Sequence, residues 1–262
     1  MQSVYEYAWL ATQQVVVSSD KDGSRIKGFG SGFFLQYKKR LFFVTADHVA
    51  HIDDFQEGIR LGKDDYVWIF NNINNKEELS TILTPIGGLY YFDMSNLNDS
   101  LSFEIPDMKD ITFKILSNSF HYPFLANELK IENKVIVESG REKIIINSDS
   151  VAELTNNDYC IIEGCVKFNI VNGIKIERFN TIYQDLKFDS IDIDGNYILK
   201  YPYHVIYENW AGLSGGPIFN DRYQLIGMVI RVNEYNDTIV VMPIKEILRY
   251  MDYAIAYENN MK

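Results

Sequence analysis

The chain has 262 residues, of which 47% are hydrophobic, and a net charge of −11. That length supports one large globular domain or two small ones with real cores. So acidic a balance argues against nucleic acid as a partner, because phosphates are neutralised by Lys and Arg. No apolar run reaches bilayer length, and two cysteines in so long a chain exclude a disulfide scaffold.

The opening segment, MQSVYEYAWLATQQVVV, shows no basic leader with a long apolar stretch and a small-residue cleavage signal. Together with the scarcity of cysteine, this gives the expectation of a cytoplasmic protein in a reducing compartment. The 18 Tyr and 16 Phe favour pleated, half-buried surfaces and lean the composition towards sheet.

Strand-like runs bounded by turn residues then follow one another. QVVVS at 14–18 precedes the turn DKDG at 20–23. GFFLQY at 32–37 and LFFVTA at 41–46 flank Lys38-Lys39-Arg40, which reads as a tight hairpin. YVWIF at 66–70 and ITFKIL at 111–116 complete the first half. The polar stretch 117–133, with Pro123, reads as a connector, which gives domains 1–126 and 127–262. Beyond it KVIVES, KIIINS, YCIIEGCVKFNIV, GIKIERF, YILKYPYHVI, QLIGMVIRV and TIVVMPI all have strand character. Only the end reads as a solid helix: after Pro243, Ile244, Ile247, Leu248, Met251 and Ala254 recur at steps of three or four. No repeat of solenoid or propeller spacing occurs. Many short strands with turns between them predict an all-β barrel or sandwich.

The stretch NWAGLSGGPIFN at 209–220 gathers three glycines and a proline around Ser214. A glycine-rich segment of this kind makes a plain turn or aims backbone N–H groups at one point. Serine needs a base to become a nucleophile, and histidine is the usual one near neutral pH. His48 ends an apolar strand at a polar turn, where a side chain is both exposed and held. His51, His121 and His204 read as structural. The base in turn needs an orienting carboxylate, for which Asp110, Asp107 and Asp93 all stand at plausible places. Cys160 and Cys165 sit in no Cys-His peptidase context and read as buried thiols. No His, Cys or acidic cluster has metal-ligand spacing, so no metal or other cofactor is expected.

Three segments, TADHV around His48, DITFKIL after Asp110 and GLSGGPIF around Ser214, resemble the signatures of trypsin-like, chymotrypsin-fold serine peptidases of the bacterial or intracellular type. GFGSGFFLQYKKRLFFVTADHVA is similar to the GSGF hairpin of those members, and QLIGMVIRV followed by IVVMPIKEI resembles their closing strands and final helix. The likeness implies two antiparallel six-stranded β-barrels with a C-terminal α-helix and a cleft between them. His48, Asp110 and Ser214 would be the catalytic residues, with the backbone of Gly212 and Ser214 as the oxyanion hole. A protein or peptide would be the substrate, with no nucleic acid, membrane or cofactor involved.

The chain departs from the secreted members of that family. Leu213 replaces the aspartate that pairs with a newly cut N-terminus, and Val49 and Trp210 stand where disulfides would. The site is therefore expected to be constitutively competent or gated by a regulatory protein partner. Counting back six residues from Ser214 gives Glu208 as the base of a specificity pocket, favouring a basic residue before the scissile bond. Val232 and Asn233 would line the substrate groove, with Asp237 and Thr238 nearby. Two rival readings are a silent or partner-activated protease-fold binding module and an effector peptidase of a bacterial defence or stress pathway.

Overall fold

The computed structural model describes residues 4–23, 25–52, 55–56, 59–60, 65–70, 83–87, 89–91, 109–117, 120, 129–131, 134–138, 140–171 and 175–260. Helix α1, Val4–Ala11, leads into β1, Thr12–Ser18, every residue of which is buried. Next come β2 (Ile26–Tyr37), β3 (Arg40–Thr45), the single-turn helix α2 (Asp47–Ala50), β4 (Phe55–Gln56) and β5 (Ile59–Arg60). The first half continues with β6 (Tyr66–Phe70), β7 (Leu83–Pro85), β8 (Tyr90–Tyr91) and β9 (Thr112–Leu116). Short strands β10 (Leu129–Ile131), β11 (Lys134–Val137) and β12 (Ile145–Asn147) precede the second half. That half contains β13 (Tyr159–Val171), β14 (Lys175–Ile191), β15 (Tyr197–Lys200), β16 (Pro217–Asn220), β17 (Leu225–Asn233) and β18 (Thr238–Pro243), and helix α3, Ile244–Asn260, ends it.

The all-β expectation with a final helix holds, and the two halves close differently. The last six strands form a closed barrel in the order β13-β14-β15-β18-β17-β16. The first half is a half-barrel, an eight-stranded sheet in the order β7-β6-β1-β2-β3-β9-β8, with β12 added in parallel to β2. The hairpin between β2 and β3 turns through Lys38 and Lys39, both at positive φ (47° and 63°), as a two-residue loop with the native strand twist requires.

One strand expectation is corrected, and one element was not foreseen. Residues 4–11 form a helix that propensity did not announce. Of YILKYPYHVI only Tyr197–Lys200 is strand, since Pro202 has no N–H for a ladder and the chain leaves the barrel as a loop. The connector at 117–133 lies largely outside the described residues, and its described part includes β10, which forms a hairpin with β11.

Two apolar clusters fill the interior. The larger joins first-half residues such as Phe33, Phe42, Val44 and Phe113 to Phe219, Leu225 and Met228 of the barrel and to Ile247, Tyr250 and Met251 of α3. The smaller is the barrel's own, with Leu199, Ile226, Ile239, Trp210 and Leu213. The seam between halves is thus a packed, largely apolar surface, and the residues of interest border it.

Candidate active site

His48 is carried by α2, directly after β3. An apolar strand, Leu41 to Val44, is buried in the core and delivers a polar turn to the surface. Asp110 immediately precedes β9, and β9 pairs with β3 in register, Thr45 opposite Thr112. Strand pairing therefore brings together two residues 62 positions apart. Asp110 Oδ2 lies 2.8 Å and Oδ1 3.0 Å from His48 Nδ1, and Oδ1 also accepts the His48 backbone N–H at 3.1 Å. The carboxylate holds both ring and backbone, which fixes the imidazole with its Nε2 free of this contact.

The protonation of His48 follows from opposing effects. Burial disfavours the imidazolium, but the hydrogen bond and charge of Asp110, with the charge of Asp47, outweigh it, and the net shift is upward from the ordinary histidine value. Half of the side-chain surface remains open to water.

Ser214 follows a one-turn 3-10 segment, Ala211–Leu213, and is buried, with 7% exposure. What holds this loop is mostly apolar. Trp210 is 1% exposed and stacks on Tyr183 at 3.8 Å between ring centroids, with Tyr201 edge-on at 5.0 Å. Tyr183 also donates its hydroxyl to Asn209 O at 2.9 Å. Leu213 is fully buried in the same barrel cluster. Past the serine, Gly215 takes φ +82°, and a Cβ there would fall on Ser31 O and Thr45 Oγ1 and 2.9 Å from Ala46 N. Glycine is required at that point.

The serine loop therefore abuts the strand ends that deliver His48. Ser31 N–H donates to Ser214 O at 2.9 Å, and Gly30 lies between Val49 and Ser214 O. Among the described residues no hydrogen bond joins His48 Nε2 to the Ser214 hydroxyl.

The other candidates fall as follows. Glu208 is exposed, in the 3-10 turn Tyr207–Asn209. Val232 and Asn233 end β17 and line a cavity of about 960 Å³ with Asp189, Lys200, Tyr207 and Arg231. Strand β16 pairs with β17 only as far as Met228, and Val229 exchanges hydrogen bonds with Gly215 and Gly216. Beyond Val229, that edge of β17 has no paired strand among the described residues. His51 pairs with Asp47 at 2.8 Å. His204, expected in a strand, is on the loop and pairs with Asp237 at 2.8 Å. The Val205 backbone N–H, then His204, hold the Asp237 carboxyl below the usual range. His121, Asp107 and Asp93 lie outside the described residues. Sequence reasoning missed Ser31, whose buried hydroxyl donates to Gly212 O at 2.7 Å. Its place in GFGSGFF was the available signal.

Among the described residues no group of three or more His, Cys, Asp or Glu could hold a metal ion, and no helix is long and apolar enough to cross a membrane.

No protein-family model matches the chain, and no curated protein matches it. Among solved structures it is similar to the apo MamO protease domain from Magnetospirillum magneticum, at 11% identity and TM-score 0.48, covering 94% of this chain and 98% of that one. It is also similar to the serine endoprotease from Yersinia pestis, at 13% identity and TM-score 0.48, covering 96% of this chain and 65% of that one.

Proposed function

We propose that the chain is a serine peptidase of trypsin-like type, acting on a protein or peptide in the cytoplasm. One observation carries the reading: a carboxylate grips a histidine by ring and backbone, at a seam whose other side is the glycine-rich loop of Ser214. In the proposed reaction His48 takes the Ser214 proton through Nε2 as Oγ attacks the carbonyl carbon. Asp110 stabilises the imidazolium without taking its proton. The N–H groups of Gly212 and Ser214 receive the oxyanion. His48 then protonates the leaving amine, and water releases the acyl group by the reverse sequence. The free edge of β17 would take the substrate backbone as an added strand, with Val232 and Asn233 along it.

The burial of Leu213 and Trp210 supports a loop already formed. Apolar packing does here what an ion pair to a new N-terminus does in secreted enzymes. The thiol of Cys160 is pushed up to about 12 by burial, then by the charges of Asp158 and Asp221, and supplies no rival nucleophile. Because Glu208 is exposed, a basic residue before the scissile bond would gain no more than about fivefold from it.

A second reading, a protease-fold module that is silent until a partner engages it, has one observation in its favour: the Ser214 hydroxyl is not hydrogen-bonded to His48. A fluorophosphonate probe separates the two. The peptidase reading expects labelling of the isolated protein at Ser214, lost in Ser214→Ala, and turnover of a proteome-derived peptide library. An unlabelled serine in the purified chain would leave the silent module standing.

A further inference from the structure

Ser31 is fully buried, 181 positions from Gly212, and its Oγ–H donates to the Gly212 carbonyl at 2.7 Å across the seam. Its N–H donates to the Ser214 carbonyl at 2.9 Å, and its own carbonyl accepts from Thr45 Oγ1 at 2.7 Å. One residue of the half-barrel thus holds the carbonyls of both residues whose N–H groups would meet an oxyanion. The barrel leaves room for this contact. A Cβ on Gly164 would lie 2.7 Å from Ser31 Oγ and 3.5 Å from Gly212 O, so a larger residue there would press on the bond.

We propose that Ser31 is a positioning residue of the oxyanion loop: its hydroxyl fixes the Gly212–Leu213 peptide and thereby the direction in which the loop presents its amides. This rests on the peptidase reading above. The main-chain bond from Ser31 to Ser214 survives any substitution, whereas the bond to Gly212 depends on the hydroxyl alone. Removing it leaves a buried carbonyl without its donor, and that peptide is then held only at its other side, where Leu213 N–H donates to Trp210 O at 2.9 Å. A donor lost outright from an oxyanion hole costs about 10²–10³ in turnover. A donor left in place and misaimed costs less, about ten- to a hundredfold.

The test compares wild type, Ser31→Ala and Ser31→Cys, the last keeping a weak donor on a somewhat larger side chain. Expected are a ten- to hundredfold fall in kcat with KM within about twofold, and a matching loss of affinity for a peptide aldehyde, whose adduct carries an oxyanion. Binding of a product peptide, which makes no such adduct, should not change. If Ser31→Ala does not fold, as read by thermal unfolding, the Cys variant carries the comparison. Unaltered kcat and aldehyde affinity, or a loss confined to KM, would overturn the positioning role while wild-type labelling at Ser214 keeps the peptidase reading. Absence of labelling in wild type would remove the peptidase reading itself.

Discussion

At His48 two requirements oppose each other, and their balance is measurable. A histidine whose value in the fold is raised gains stability from its proton. That gain is complete below the ordinary value of about 6.5 and is lost as pH rises through the raised one. Catalysis needs the neutral ring. The acid limb of kcat/KM should therefore have its midpoint above about 6.5, in the range where the proton's contribution to stability is already fading. Asp110→Asn removes the charge that raises the value and leaves the wrong tautomer favoured. It should move the midpoint down and cut kcat about 10⁴-fold. A pH–rate profile of both proteins reads the two effects at once. A midpoint unmoved by Asp110→Asn would mean that the carboxylate does not govern this ring.

The elements that carry the site were legible to different depths. Strands announced themselves by aromatic and β-branched runs, and α3 by its apolar spacing. Helix α1 did not, because VYEYAWLA is rich in residues that suit sheet. It is held by tertiary contacts: Lys143 Nζ reaches the carbonyls of Trp9 and Thr12 at 2.7 and 2.6 Å, from more than 130 residues away. Such a cap has no local signal. Asp110 was equally invisible in itself, since an acid before a strand is ordinarily a solvated turn residue. The in-register pairing of β9 with β3 gives it a partner. Turns make sharper predictions. Lys39 is exposed at φ +63°, where a side chain costs about 1–2 kcal/mol relative to glycine. Lys39→Gly should therefore raise stability by about 0.5–1 kcal/mol after its unfolded-state entropy is counted. Gly215→Ala should act in the opposite sense. It meets both a positive φ and the backbone of Ser31, so a loss of at least about 1–3 kcal/mol is expected, with displacement of the serine loop. Urea unfolding of each variant measures the stability terms, and labelling at Ser214 reports the loop.

The whole molecule is tied across its seam more firmly than a division into two halves suggests. Helix α3 follows the barrel in sequence, yet its apolar face, with Ile247, Tyr250 and Met251, completes the cluster that fills the half-barrel. Its polar face grips the hairpin of β2 and β3. Asp252 takes Tyr37 and Lys38, and Arg40 takes Glu258 at 2.6 Å and Asn259 at 3.1 Å. The ion pairs are partly exposed and contribute at most about 1 kcal/mol each, less in salt. The buried face is what couples the halves. Denaturant unfolding should accordingly appear as one transition, coincident by tryptophan fluorescence and far-UV circular dichroism, and should stay single in high salt. Fluorescence reports both sides of the seam, because Trp68 is on β6 and Trp210 is inside the barrel cluster. Ile247→Ala removes a fully buried side chain from the shared face and should cost about 2–5 kcal/mol. Because that face belongs to both halves, the whole transition should shift rather than split. Two resolved steps in wild type would mean that the seam transmits too little energy to make His48 and Ser214 fold as one unit.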